Sequence, residues 1–301
     1  MKRYFLLAAA TLALAACNND DNYNNVDDPV AAHITATIGE SAVTRASGTS
    51  WAAGDQIGIT MDDRYVNMEY TTESTDGKFT GTTMYFKNKR EPVTLIAYYP
   101  FAGEEGTAQT SITASTTADR QTPKNQPKID FLYATKENVT GSDPNVNLTF
   151  SHKMSKLTFT FKEGNKGTNV GKITSYEIGG LVLDGTFNAV TGVCAAKSDA
   201  AAAPLRITMP EGTVVHNESV DPLILFPQTP GKVTLKITDS EAQEYACELN
   251  FGNDGIVAGN NYQYTITVSK TGLTVNSNIA DWNDEKLESE AKSDDSDDSD
   301  D

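Results

Sequence analysis

Tyr262-Gln263-Tyr264-Thr265-Ile266-Thr267-Val268 alternates apolar and polar side chains without interruption. Successive side chains of a strand point to opposite faces, so a run of this kind buries one face and wets the other. The same period of two recurs in Leu157-Thr158-Phe159-Thr160-Phe161 and in Leu235-Lys236-Ile237. Turn residues punctuate these runs: Asp76-Gly77, Gly103, Gly141-Ser142-Asp143-Pro144, Glu163-Gly164-Asn165-Lys166-Gly167, Asp184-Gly185 and Thr229-Pro230-Gly231 cut the chain into short strands at hairpin spacing. No segment of helical length carries a clean 3.6-residue period outside the first seventeen residues, and Ala200 to Ala203 is only a short alanine patch. The fold class is therefore all-β, of the sandwich type.

The N-terminus reads as an address. Lys2 and Arg3 precede an apolar run from Phe5 to Ala16, which is too short to remain as a spanning helix and reads as a secretory signal. Leu14-Ala15-Ala16-Cys17 resembles a bacterial lipobox, in which the cysteine is acylated and the chain is cut before it. Cys17 would then begin the mature protein and hold it to a membrane, because each buried CH₂ of an acyl chain contributes about 0.8 kcal/mol. An ordinary signal peptide with a chance cysteine is the plainer alternative. The following Asn18-Asn19-Asp20-Asp21-Asn22 suits a solvated tether and also resembles the acidic signal that carries Bacteroidetes lipoproteins to the outer face of the outer membrane.

Between this leader and an acidic tail lie about 240 residues, enough for one large or two ordinary domains. A boundary near Gly141 to Asn147 divides them. The expected organisation is a signal peptide over 1–16, a tether and removable strand over 17–45, a first β-sandwich over 46–145, a second over 146–283 and a disordered tail over 284–301.

The formal net charge is −17, yet most of it lies outside the globular part: once the signal, the tether and the tail are set aside, residues 46–283 keep only −7. No extended Lys- and Arg-rich stretch occurs, which argues against nucleic acid as a partner. The Ser-Asp tail has nothing apolar to bury and lacks the glycine turn and distal glutamate of a calcium loop. His33, His152 and His216 show no metal-ligand spacing, and no nucleophile elbow, phosphate loop or dinucleotide fingerprint occurs. We therefore expect no enzyme, no metal and no cofactor, with His152 a strand residue satisfied by hydrogen bonding. Cys194 and Cys247 remain as thiols once Cys17 is acylated. An oxidising compartment permits a disulfide between them, and the parity of Cys247 with Tyr245, Leu249 and Phe251 suits a core thiol equally well.

Further stretches carry a resemblance. Val43-Thr44-Arg45-Ala46, Gly48-Thr49-Ser50-Trp51-Ala52-Ala53-Gly54-Asp55-Gln56-Ile57-Gly58-Ile59, Leu95-Ile96-Ala97-Tyr98-Tyr99-Pro100-Phe101, Asp130-Phe131-Leu132-Tyr133-Ala134, Leu148 to Leu157, and Gly272-Leu273-Thr274-Val275 with Ile279-Ala280-Asp281-Trp282 stand in this order along the chain. The ordered set resembles the fimbrillin-like lipoproteins of Bacteroidales, the subunits of donor-strand (type V) pili. The resemblance implies two transthyretin-like β-sandwich domains, an outer-membrane lipoprotein precursor and polymerisation after proteolysis. The acidic tail after Trp282 departs from the pattern.

The residues themselves fit that proposal. Ile34, Ala36 and Ile38 share one face of a short strand, and Gly39 to Ser50 behind it is small and polar around Arg45, as a cleavable linker is. Cleavage between Arg45 and Ala46 would release the strand and leave an open edge that recruits another; Arg45 as an ordinary surface residue is the plainer reading. Leu273, Val275 and Ile279 share one parity and make Leu273 to Trp282 a candidate donor strand, against the alternative of a last strand folded back on its own domain. The expected partners are other pilus subunits, the outer membrane through a lipid anchor, and a host or bacterial surface ligand. A binding module that holds glycans on Trp51 and Trp282 without polymerising is the competing function, although both tryptophans sit beside strand ends where core packing is expected.

Overall fold

The computed structural model describes residues 28–39, 50–164, 172–209, 216–269 and 272–282. Described residues are all-β, as the period of two requires, apart from two single-turn 3₁₀ helices at Ala118–Arg120 and Gln126–Lys128. The first ten strands are β1 Val30–Ala31, β2 His33–Ile38, β3 Gln56–Met61, β4 Tyr65–Thr71, β5 Lys78–Gly81, β6 Tyr85–Phe86, β7 Val93–Tyr99, β8 Ile112–Ser115, β9 Leu132–Val139 and β10 Asn145–His152. They are followed by β11 Ser155–Glu163, β12 Ile173–Leu181, β13 Asp184–Asn188, β14 Val193–Ala196, β15 Ala203–Thr208 and β16 His216–Ser219. The last five are β17 Leu223–Leu225, β18 Val233–Asp239, β19 Glu244–Leu249, β20 Asn260–Ser269 and β21 Gly272–Asp281.

In the first body, β10, β2, β5, β4, β3, β7 and β9 hydrogen-bond in that order and close on themselves. Three of the junctions, β9–β10, β2–β5 and β4–β5, are only two residue pairs long, so the ring is thin at its corners. Its core takes alternate residues from each strand, among them Ile34, Ile57, Ile59, Leu95, Leu148 and Phe150. The second body is a sandwich. One sheet runs β16-β11-β20-β21 with β17 also on β11, and the other runs β15-β12-β18-β19. Leu157, Phe159, Tyr264 and Ile266 from the first sheet meet Tyr176, Ile178, Leu235 and Ile237 from the second in one buried cluster.

The two bodies share a third core. Strand β8 pairs with β13 across the midpoint of the chain, and Phe131 of the first body stacks on Phe187 of the second at 4.7 Å. Buried Gln121 ties the same seam: its amide nitrogen donates to the carbonyls of Thr116 and Ile224, and its oxygen accepts from the Ile224 N–H. A buried amide with this many partners does not carry the penalty of an unsatisfied polar group.

Two expectations need correction. Val146, Leu148 and Phe150, assigned by the sequence to the second domain, bury in the core of the first, so the first body runs to His152 and not to 145. After the Gly141–Pro144 turn the chain returns alongside β2 in parallel, a pairing that no local pattern announces. The possible disulfide is not made either: Cys194 and Cys247 are both free. Cys194 packs into the seam with its sulfur 3.3 Å from that of Met154, whereas Cys247 lies on β19 against the second core.

Candidate functional site: an N-terminal strand in a slot

Strand β2 lies between β10, to which it is parallel, and β5, to which it is antiparallel. Ile34, Ala36 and Ile38 are 4%, 2% and 8% exposed, while His33 and Thr37 face solvent. The predicted removable strand is therefore an integral part of the first core. Pairing with β10 covers every residue from His33 to Ile38. Main-chain bonds close both ends, from His33 N–H to Pro144 O (2.9 Å) and from Gly39 N–H to Phe150 O (2.8 Å).

On the other side the ladder is short. Strand β5 pairs only with Ile34 and Thr35, so Ala36 must find partners elsewhere. Its N–H donates to Gly77 O at 2.8 Å, and its carbonyl accepts from the indole N–H of Trp51 at 2.8 Å. Gly77 has φ +74°, and a Cβ placed there would stand 2.3 Å from the Ala36 oxygen, so this turn requires glycine. Trp51 is itself buried and meets Phe79, Phe150 and Tyr99 edge-on at 5.0, 5.2 and 5.6 Å. A tight turn sets it: Ala52 N–H donates to Asp55 Oδ2 and Asp55 N–H to Ala52 O, with Gly54 at φ +91°. Trp51, twelve positions further along the chain than Gly39, thus completes the edge of the strand that Gly39 ends.

Beyond Ile38 the slot opens toward a cavity of about 270 Å³ between the bodies, lined in part by Trp51, Tyr99, Asp130, Lys156 and Trp282. Several of its polar groups already have partners. The Tyr99 hydroxyl donates to Asp55 at 3.0 Å, and burial, then that carboxylate, push its pKa up. His152 holds Asp130 at 2.9 Å and stacks on Trp282 at 4.1 Å, as expected for a satisfied strand histidine. Lys156 donates to the Trp282 carbonyl at 2.7 Å with its ammonium 5.3 Å from the ring, and burial lowers its pKa. Trp51 and Trp282 are 4% and 5% exposed, so neither offers a free face to a sugar. Among the described residues no group of His, Cys, Asp and Glu is placed to hold a metal, and no helix is long and apolar enough to cross a membrane.

The predicted donor segment forms β21, paired antiparallel with β20 over its whole length and lying at the sheet edge. In this structure it is folded back on its own domain, the alternative left open by the sequence. None of its residues is fully buried. Leu273 and Val275 pack partly against the second core, whereas Ile279 is 48% exposed. Cys17, Arg45 and Ala46 lie outside the described residues. Trp51 was not assigned to the strand site by sequence reasoning; the signal available was its position at the start of a turn directly behind the linker.

The chain matches the fimbrillin-like family over residues 44–282. A Bacteroides uniformis protein named "Putative fimbrium subunit Fim1C" is 33% identical over 314 aligned residues, covering 94% of this chain and 96% of that protein. Among solved structures, a "putative cell adhesion protein" from Bacteroides ovatus superposes with a TM-score of 0.69 at 29% identity, over 86% of this chain and all of that one. A protein with the same description from Bacteroides uniformis gives 0.66 at 28% identity, over 84% of this chain and 99% of that one.

Proposed function

The chain belongs to the fimbrillin-like family, and from that premise we propose that it is a structural or adhesive subunit of a cell-surface fimbria, exported as a lipoprotein through Cys17, cut after Arg45 and assembled by strand exchange. A fimbrial or adhesive role and association with other subunits follow from the family. The relatives are named for fimbriae and cell adhesion and not for catalysis.

One observation carries the exchange step. Strand β2 fills an apolar slot in the first core, and the next ten residues of chain after Gly39 contain Arg45. Fully burying an isoleucine is worth about 1.5–3 kcal/mol, so losing Ile34 and Ile38 strips the first body of about 3–6 kcal/mol that an incoming strand can restore. The vacated edges of β10 and β5 supply main-chain hydrogen bonds in addition. A lipid anchor at Cys17 would keep the precursor at the outer membrane until cleavage separates the subunit from it.

The test is limited digestion with a trypsin-like protease, followed by N-terminal sequencing and unheated gels. A chain that begins at Ala46 and forms ladders supports the proposal. A chain cut at Arg45 that stays monomeric at high concentration refutes assembly by exchange.

A further inference from the structure

The cavity between the bodies sorts its lining by depth. Its floor is buried and apolar, formed by Ile38, Leu132 and Ile224 with Trp51, Tyr99 and Trp282 around them. Gln126, Asp130 and Lys156 stand half-buried above that floor, and Ser50, Pro123 and Asp221 are exposed at the rim. Prolines at 123, 127 and 222 fix their backbone φ, so this part of the wall is shaped in advance and a ligand has little to order there. At about 270 Å³ the space lies just below the range of drug-sized sites, roughly 300–1,000 Å³, and suits one molecule of residue size.

Two charges in this lining have no counter-ion among the described residues. The Lys156 ammonium donates to the Trp282 carbonyl at 2.7 Å and lies over its ring, which leaves donors to spare and no carboxylate in an ion pair with it. Desolvation lowers its pKa, as for a charge drawn out of water without a neutralising contact. The Asp221 carboxylate at the rim makes neither a hydrogen bond nor an ion pair among the described residues. Asp55 and Asp130, by contrast, already hold Tyr99 and His152. Three carboxylates around one ammonium repel a simple anion, and a simple cation would add a like charge beside Lys156. A ligand that carries both charges next to an apolar branch meets neither objection.

We propose that this cavity binds a small apolar α-amino acid in its zwitterionic form, with the ligand carboxylate on Lys156, its ammonium on Asp221 and its side chain on the apolar floor. Charge-assisted hydrogen bonds fix the polar end, and burial of the side chain supplies the rest of the affinity. Ile38 of β2 belongs to the floor, so the site is whole in the uncleaved chain and does not depend on subunit assembly.

The experiment is calorimetric titration of the uncleaved protein with L-leucine and L-phenylalanine, and with the two half-molecules 3-phenylpropanoate and phenethylamine. At least one of the amino acids should bind one to one, and for phenylalanine each half-molecule should bind at least tenfold more weakly. Lys156→Gln should weaken amino-acid binding at least tenfold while phenethylamine binds no worse than to wild type. Asp221→Asn should weaken it likewise while 3-phenylpropanoate binds no worse. These opposite responses separate a lost contact from a damaged fold. Absence of binding by both amino acids overturns the proposal, as does affinity for both that is unchanged in Lys156→Gln. Binding of 3-phenylpropanoate as tight as that of phenylalanine overturns it too, because the ammonium is then not read.

Discussion

Replacing Trp51 by Phe removes one hydrogen bond from the N-terminal strand and leaves most of the aromatic packing in place. Backbone groups of a strand residue point to the same side, and on that side of Ala36 the β5 ladder has already ended. The indole N–H is therefore the partner that satisfies a buried carbonyl, at 2.8 Å. Leaving such an acceptor unsatisfied costs about 1–3 kcal/mol, and the smaller ring adds a void charged to the first body as a whole. The first cost falls on β2 alone. Converted at 1.4 kcal/mol per decade, it makes local opening of β2 about 5- to 150-fold more frequent. Native-state hydrogen exchange reads this at the Ala36 and Gly39 amides, which donate to Gly77 and Phe150. Amides of β20, in the other body, serve as reference. Protection at Ala36 equal to wild type would refute the claim that Trp51 clips the strand, as would an equal loss of protection in both bodies.

Ile38→Ala should destabilise the first body by about 2–4 kcal/mol, because the residue is 8% exposed, whereas Ile279→Ala should cost less than about 1 kcal/mol in the monomer; denaturant melts compare them. Cys17→Ala should abolish labelling by a fatty-acid analogue and move the precursor to the soluble envelope fraction, and equal labelling of both proteins would count against the anchor. Burial pushes the Cys194 thiol up to about 12, so at pH 8 it should react with a thiol reagent at least about tenfold more slowly than a free cysteine, followed by mass spectrometry. Gly77→Ala should destabilise the precursor by more than about 1 kcal/mol, because a methyl group cannot share space with the Ala36 carbonyl in a backbone held at φ +74°.

Sequence alone determined the strand class and the inward faces. Ile34, Ala36 and Ile38 face the first core, Leu157, Phe159 and Phe161 the second, and Tyr262, Tyr264, Ile266 and Val268 face it from the neighbouring strand, all as their parity requires. The ordered family stretches were equally legible, since each is a contiguous run of residues. Partners were not. A period of two says which side of a strand is buried and is silent about which strand lies beside it. The β2–β10 pairing joins residues more than a hundred positions apart and carries Val146, Leu148 and Phe150 into the first body. The same non-local packing separated Cys194 from Cys247 and brought β8 against β13. Trp51 as the clip of Ala36 is of this kind too. An indole on a turn can donate anywhere within its reach, and only the close of the β5 ladder at Thr35, together with the glycine turn at Gly77, aims it at that one carbonyl.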